Sequence, residues 1–378
     1  MRNFQKTNMG LPMHNSKLII IVAVFLLFGC SDKTDNINHV KLVNSRDLVS
    51  IDSLIYINND KDYIGGIRDF EIVDDTIFIS DIVEPKIHIL DSQMKYSGSF
   101  GKLGHGPNEF AYSPYLSSVQ DTLVIYDLPK RKLLFYKSNK IVNEITLPPK
   151  FFYNTFGPFF SKNKIVITAL NKYLRELTGD ISDFTTILIT DRNGVEMKET
   201  GFLLDDYYKN RNLLYYARKN SAIISKGFKD DFFSLQLATY KIQEFDFNGN
   251  VLRTFEYKPK YYLTPPKLPT DFNAIDMKKW YESFYSKYTN FYGMFLDDKN
   301  NLLYVGYRRL HSDQYLTRTF LDADNYLFVM NEKGECVFDE KTDGYVLSVY
   351  DGIIYLLTEE AETRLVIHKY MLGNKSEN

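Results

Sequence analysis

From about residue 67 onward, apolar and polar positions alternate in short runs, and each run is cut by a small cluster of Asp, Asn, Gly or Lys. Residues 68–100 show the pattern most clearly. Asp69-Phe70-Glu71-Ile72-Val73 reads as a strand, Asp74-Asp75 as a turn, and Thr76-Ile77-Phe78-Ile79-Ser80-Asp81 as a second strand. Glu84-Pro85 breaks the run, Lys86-Ile87-His88-Ile89-Leu90 alternates again, and after Asp91-Ser92-Gln93 the segment Tyr96-Ser97-Gly98-Ser99-Phe100 forms a fourth strand. A period of two, bounded by turn residues, is the signature of strands, and four strands joined by tight turns form an antiparallel meander.

The unit recurs. Val119-Gln120-Asp121-Thr122-Leu123-Val124-Ile125-Tyr126-Asp127 follows Val73–Asp81 nearly position for position, and Lys132-Leu133-Leu134-Phe135-Tyr136 follows Lys86–Leu90. Further copies of the apolar, Asp-rich turn, apolar form lie at 296–305 and 349–357. Hairpin signals close strands at Asp191-Arg192-Asn193-Gly194, Asp246-Phe247-Asn248-Gly249 and Asn331-Glu332-Lys333-Gly334. Repeats of roughly 45–60 residues with four strands each predict radial blades rather than a sandwich. The expected fold is all-β: a six-bladed β-propeller of four-stranded antiparallel blades, at 63–112, 113–150, 151–204, 212–258, 290–340 and from 341 on. The last blade supplies three strands of its own. Pairing the segment His39–Ile57 with it closes the ring and removes two exposed edges.

One stretch breaks the strand pattern. Lys258 to Pro269 carries four prolines, which exclude regular structure. Beyond it, Met277, Trp280 or Tyr281, Phe284 and Tyr288 fall on one face at helical spacing, so a helical insertion is expected near 270–289. With Tyr261, Tyr262, Trp280, Tyr281, Phe284, Tyr285 and Tyr288, this region is the candidate surface for a glycan ring or a partner protein. The other reading is that the helix packs these rings onto blade edges. Tyr207-Tyr208 and Tyr215-Tyr216 carry the same ambiguity.

The first residues follow different rules. Lys17 ends a basic stretch, and Leu18 to Phe28 is an uncharged apolar run of about 11 residues. A membrane-spanning helix needs about 20, so the run fits the hydrophobic region of a secretory signal instead. Leu27-Phe28-Gly29-Cys30 resembles the lipobox of bacterial lipoproteins: Leu27, Gly29 and Cys30 match, and Phe28 is larger than the usual residue there. The resemblance implies cleavage before Cys30, a diacylglyceryl thioether on its sulfur and acylation (palmitate) of the new N-terminus, a dual anchor strong enough for stable membrane attachment. The expected organisation is a signal peptide over 1–29, a polar tether over 30–38, the propeller over 39–373 and a tail over 374–378, with Met1, Met9 and Met13 as alternative starts. The expected location is extracytoplasmic, on the bacterial outer membrane. The periplasmic face and the cell surface both stay open.

Composition narrows the function classes. Net charge is −2, so no basic field points to nucleic acid. Tyr and Phe number 29 and 28 against one Trp, a bias toward half-buried strands. Cys336 is the one cysteine besides Cys30, and it carries no nucleophile motif. His14, His39, His88, His105, His311 and His368 are scattered, and neither His-Glu-x-x-His nor Asp-x-Asp-x-Asp-Gly occurs, so no metal or cofactor is called for. Gly-x-Ser-x-Gly is absent. Asp74-Asp75, Asp205-Asp206, Asp230-Asp231 and Asp297-Asp298 read as solvated turn residues.

Phe100-Gly101-Lys102-Leu103-Gly104-His105-Gly106-Pro107-Asn108-Glu109-Phe110 resembles the F-G-x-x-G-x-G-P-x-E-F segment of six-bladed β-propeller lipoproteins of the NHL-like and TolB-like kind. The fixed positions are Phe100, Gly101, Gly104, Gly106, Pro107, Glu109 and Phe110. A phosphate-cradling loop has to open a helix, and none starts here, so the glycines read as structural, with Glu109 bracing the loop through backbone N–H groups. The resemblance implies a non-enzymatic binding or interaction propeller, accessory to glycan or peptide uptake, with a glycan or an outer-membrane protein as partner. The alternative is a glycan hydrolase or lyase using carboxylates in the central channel.

Overall fold

The computed structural model describes residues 37–59, 62–153, 157–161, 163–170, 184–202, 222–236, 239–264, 288–311 and 321–375. The protein is a six-bladed β-propeller. Blade 1 is Ile67–Val73, Thr76–Asp81, Ile87–Leu90 and Tyr96–Phe100, and blade 2 is Tyr115–Val119, Thr122–Asp127, Lys132–Lys137 and Lys140–Thr146. Blade 3 contains Phe159–Phe160, Lys164–Leu170, Thr185–Asp191 and Glu196–Phe202, with Phe152–Tyr153 also on its second strand. Blade 4 is Ile223–Lys226, Phe232–Leu235, Lys241–Phe245 and Val251–Glu256. Blade 5 is Thr289–Asp297, Leu302–Leu310, Ala323–Asn331 and Glu335–Thr342. Blade 6 is Tyr345–Tyr350, Ile353–Ala361 and Arg364–Asn374, completed by Arg46–Ile57 antiparallel on its outer edge. Among the described residues there is no α-helix, and the helix read over 271–288 lies outside them.

The N-terminal segment does more than complete blade 6. Ile37–His39 runs parallel to the outer strand of blade 4, and Lys41–Leu42 parallel to that of blade 5. One continuous strap therefore covers the outer edges of three successive blades, satisfying backbone groups that an open edge leaves to solvent.

The strand pattern follows from how blades stack. Each blade is covered on both faces, so its middle strands are buried nearly throughout, as in Thr76–Asp81 and Thr122–Asp127. Alternate side chains serve opposite seams: Ile77 and Ile79 join the cluster with blade 6, and Phe78 joins the cluster with blade 2. Every seam holds its own apolar cluster of this kind. Outer strands bury less, and Lys140–Thr146 is mostly exposed.

The two faces of the ring differ. One carries the turns between first and second and between third and fourth strands. These are short, with Asp74, Asp75, Gln120, Asn301 and Asp351 in the left-handed region. In four blades a single side chain braces the outer turn: the Oδ1 of Asp91, Asp191, Asp246 and Asn331 accepts from backbone N–H groups two and four residues on, at 2.8–3.1 Å. This is the Asx-turn chemistry that makes Asp and Asn turn residues. The other face carries the connections between second and third strands and between blades. The strand ends that flank the intervals 171–184, 203–222, 257–288 and 311–322 lie at this face. We call the two the turn face and the loop face.

Candidate functional site

The first strand of each blade lies innermost, so one of its edges has no strand partner and its outward backbone groups need other bonds. In several seams a side chain from the preceding blade supplies them. Glu360 Oε1 of blade 6 accepts from Ile67 N–H at 2.7 Å, Asp69 Oδ2 of blade 1 accepts from Leu116 N–H at 2.7 Å, and the Tyr292 hydroxyl of blade 5 accepts from Val346 N–H at 3.1 Å. Ser80 and Ser117 add hydroxyl donors to the carbonyls of Pro114 and Pro158, at 2.6 and 2.8 Å. These bonds stitch blade to blade around the axis.

The seam between blades 1 and 2 concentrates charge. The register of the inner strand of blade 1 shifts between Ile67 and Asp69, which makes Arg68 the extra residue of a β-bulge. A bulge re-aims its side chain, and here both Arg68 and Asp69 reach blade 2. The Arg68 guanidinium lies 4.6 Å from the ring centre of Tyr115 and 5.4 Å from that of Tyr112, and its Nη2 donates to the Tyr115 hydroxyl. Asp69 also accepts from Phe70 N–H at 2.9 Å. Two residues on, Glu71 lies beside Ser118, whose hydroxyl favours the charged carboxylate. Both carboxyls keep partial solvent access, yet the surrounding ring removes enough water to push Asp69 up to about 6 and Glu71 up to about 7. The Arg68 charge and the bonds to Asp69 work against that rise, and the Asp69 charge adds to it at Glu71. Arg68 opens its strand at the loop face, and Tyr112, 48 % exposed, stands in the connection just before blade 2.

The glycine-rich segment forms the start of that same connection. Gly104 N–H donates to Phe110 O at 3.0 Å and Phe110 N–H to Lys102 O at 2.7 Å, which folds the loop onto itself. Glu109 accepts from Gly106 N–H at 2.7 Å and pairs with Lys102 at 3.2 Å, while Lys130 Nζ donates to the Glu109 carbonyl at 2.6 Å. Phe110 is fully buried, edge-on to Phe100, and Phe100 stacks on Tyr136 at 4.3 Å. Gly101 has φ +89°, and a Cβ there would meet the Phe110 ring at 2.2 Å. At Gly104 a Cβ would meet Glu109 Oε2 at 2.1 Å. Only glycine allows these approaches. Pro107 sits in the same turn, between Gly106 and Glu109. The loop leads from the last strand of blade 1 to Tyr112 and Tyr115, so it sets the rings that hold Arg68.

The aromatic platform read over 261–292 is distributed differently. Tyr262 is buried, stacked on Phe291 at 5.8 Å and edge-on to Tyr240 at 5.4 Å, so it belongs to the core of the seam between blades 4 and 5 and presents no ring to a ligand. Tyr261 is partly covered: it stacks on Tyr326 at 4.7 Å and its hydroxyl donates to Glu340 at 3.2 Å. Tyr288 is half-buried at the start of blade 5. Trp280, Tyr281, Phe284, Tyr285 and Cys30 lie outside the described residues. Cys336 is buried. The nearby Asp339 accepts from the hydroxyls of Tyr257 and Tyr307 and from Lys260 N–H, each at 2.6 Å, a closed set of bonds that ties the chain after blade 4 to blade 5. Among the described residues, no cluster of three or more His, Cys, Asp or Glu is placed to hold a metal ion.

The sequence pattern did not mark Arg68, Tyr112 or Tyr115. The available signal was Arg68-Asp69-Phe70-Glu71, three charges on a strand that a propeller buries at its centre.

No family model and no curated protein matches the chain. Solved structures do resemble it. A member of the DUF4221 family from Bacteroides vulgatus superposes with a TM-score of 0.65 at 12% identity, covering 88% of this chain and 99% of that one. A putative exported protein from Bacteroides fragilis gives 0.54 at 11%, covering 90% and 99%. A virginiamycin B lyase from Staphylococcus aureus gives 0.44 at 11%, covering 86% and 100%. At these identities the likeness is one of fold: the class to which the chain belongs is the six-bladed β-propeller.

Proposed function

We propose that this chain is an exported lipoprotein, anchored through Cys30, whose propeller binds a ligand or partner at its loop face without transforming it, as an accessory to nutrient uptake. The leader up to Cys30 supports export and lipidation, and a protein of similar fold is described as a putative exported protein. Among the described residues, no helix is long and apolar enough to cross a membrane. The observation that carries the binding reading is the state of the charged groups at the seam of blades 1 and 2. Asp69 is engaged by two N–H groups and Glu71 lies beside Ser118, while Arg68, set against the Tyr112 and Tyr115 rings, has no ion pair among the described residues. A fixed array of this kind orients and recognises.

Two experiments test this reading. Metabolic labelling with a palmitate analogue is expected to mark the wild-type protein and to fail with Cys30→Ser; equal labelling of both would remove the anchor. Thermal-shift screening with oligosaccharides and peptides is expected to find ligands whose effect is lost in Tyr112→Ala. A second reading, a glycan hydrolase or lyase, draws on Asp69 and Glu71, two carboxyls two residues apart on one strand, both pushed up by burial. Product formation from a bound glycan, cut at least about a hundredfold by Glu71→Gln, would establish that reading in place of the first.

A further inference from the structure

Building on the proposed binding role, we infer that Arg68 and Tyr112 form a subsite for a carboxylate-bearing sugar ring, a hexuronate residue of an acidic glycan.

Three observations lead there. The first is a cation without a direct ion pair. Arg68 has no ion-pair partner among the described residues; its side chain donates to the neutral Tyr115 hydroxyl, and its Nε is buried out of a ligand's reach, so a ligand would meet the Nη1–Nη2 edge. Arginine presents a planar fork that matches a carboxylate with two parallel bonds. A guanidinium already held against Tyr115 by that hydrogen bond loses little further freedom when it binds one. The second is an exposed ring beside that cation. Tyr112 lies 5.4 Å from the guanidinium, which stands over one side of its ring, and at 48 % exposure the residue leaves apolar ring surface open beside the charge. A pyranose carrying a carboxylate has the complementary shape: C–H groups on a ring face, and an anion at its edge.

The third observation separates a sugar from a peptide. An extended peptide gains affinity by pairing its main chain with a free strand edge. At this mouth the inner-edge N–H groups are taken, Ile67 by Glu360 and Leu116 by Asp69. A peptide end would reach Arg68 but find no edge to continue along, whereas a sugar acid needs none.

The test is isothermal titration of the intact lipid-free mature chain with a panel of tetra-uronates, their neutral methyl esters, and peptides with free or amidated C-termini. At least one tetra-uronate is expected to bind, with affinity falling about tenfold or more on esterification and in Arg68→Ala, and less in Arg68→Lys, which keeps the charge but loses the fork. Tyr112→Ala is expected to weaken the same ligand severalfold. Melting curves of Arg68→Lys and Tyr112→Ala confirm folded protein. Neutral glycans bound as well as their acids, with Arg68→Ala unaffected, would overturn the uronate subsite and leave the binding propeller standing. A peptide acid bound through Arg68 in place of every uronate would also overturn it. No binding by any member would overturn the uronate subsite, while the thermal-shift screen decides the binding role separately.

Discussion

At the scale of residues, backbone geometry and buried charge make the sharpest demands. Gly101→Ala places a Cβ against the fully buried Phe110 ring at a backbone angle that L-residues resist. Its expected cost is at least about 1–3 kcal/mol, read from equilibrium denaturation. Phe110→Ala removes the ring from the other side and is expected to cost about 3–5 kcal/mol. Glu71 makes a pH prediction. Its carboxyl is pushed up to about 7 by burial, so between about pH 4.5 and 7 the folded state holds a proton that the unfolded state has released. Stability from this group therefore falls as pH rises through that window and levels off above it. Asp69, raised to about 6, acts in the same direction below pH 6, and so does Asp231, which is buried beside Glu244 rather than solvated in its turn and is raised as well. Thermal melts from pH 5 to 8 are expected to show this decline, with a shallower slope in Glu71→Gln. An identical slope in that variant would assign the proton elsewhere.

At the scale of elements, the strands were legible because each burial face leaves a period of two, as in Thr76–Asp81 and its copy Thr122–Asp127. The Asp and Asn turns were legible because the side chain that marks them also makes the bonds, as Asp191 and Asp246 do. The parallel pairings of Ile37–His39 and Lys41–Leu42 left no such trace, because these short segments are exposed and bind through their backbones. Arg68 was hidden for a related reason. A bulge reverses the expected side of a strand, and nothing in Ile67-Arg68-Asp69 announces one. Tyr262 was read by composition, and composition does not tell a ring in a seam from a ring on a surface. The strand Arg46–Ile57 makes an element-scale prediction. Leu54 is buried in the seam with blade 1, and Leu54→Ala is expected to cost about 2–5 kcal/mol. Ile55 points outward at 52 % exposure, and Ile55→Thr is expected to stay within about 0.5 kcal/mol by the same denaturation measurement.

At the scale of the whole molecule, the ring separates structural and functional demands. Each seam has its apolar cluster, and the turn face is closed by short braced turns. The loop face is where the widest intervals between consecutive strands begin and end, and where Arg68, Asp69, Tyr112 and Tyr115 meet. Scaffolds of this kind place recognition on the loops that a rigid core positions. The measurement that tests this division most directly is amide hydrogen exchange, with and without the tetra-uronate that binds best in titration. The account predicts slowed exchange at residues 66–70 and 111–118, with the turns at 74–75, 92–95 and 120–121 unchanged. Protection confined to those turns, or to the exposed outer strands, would contradict it.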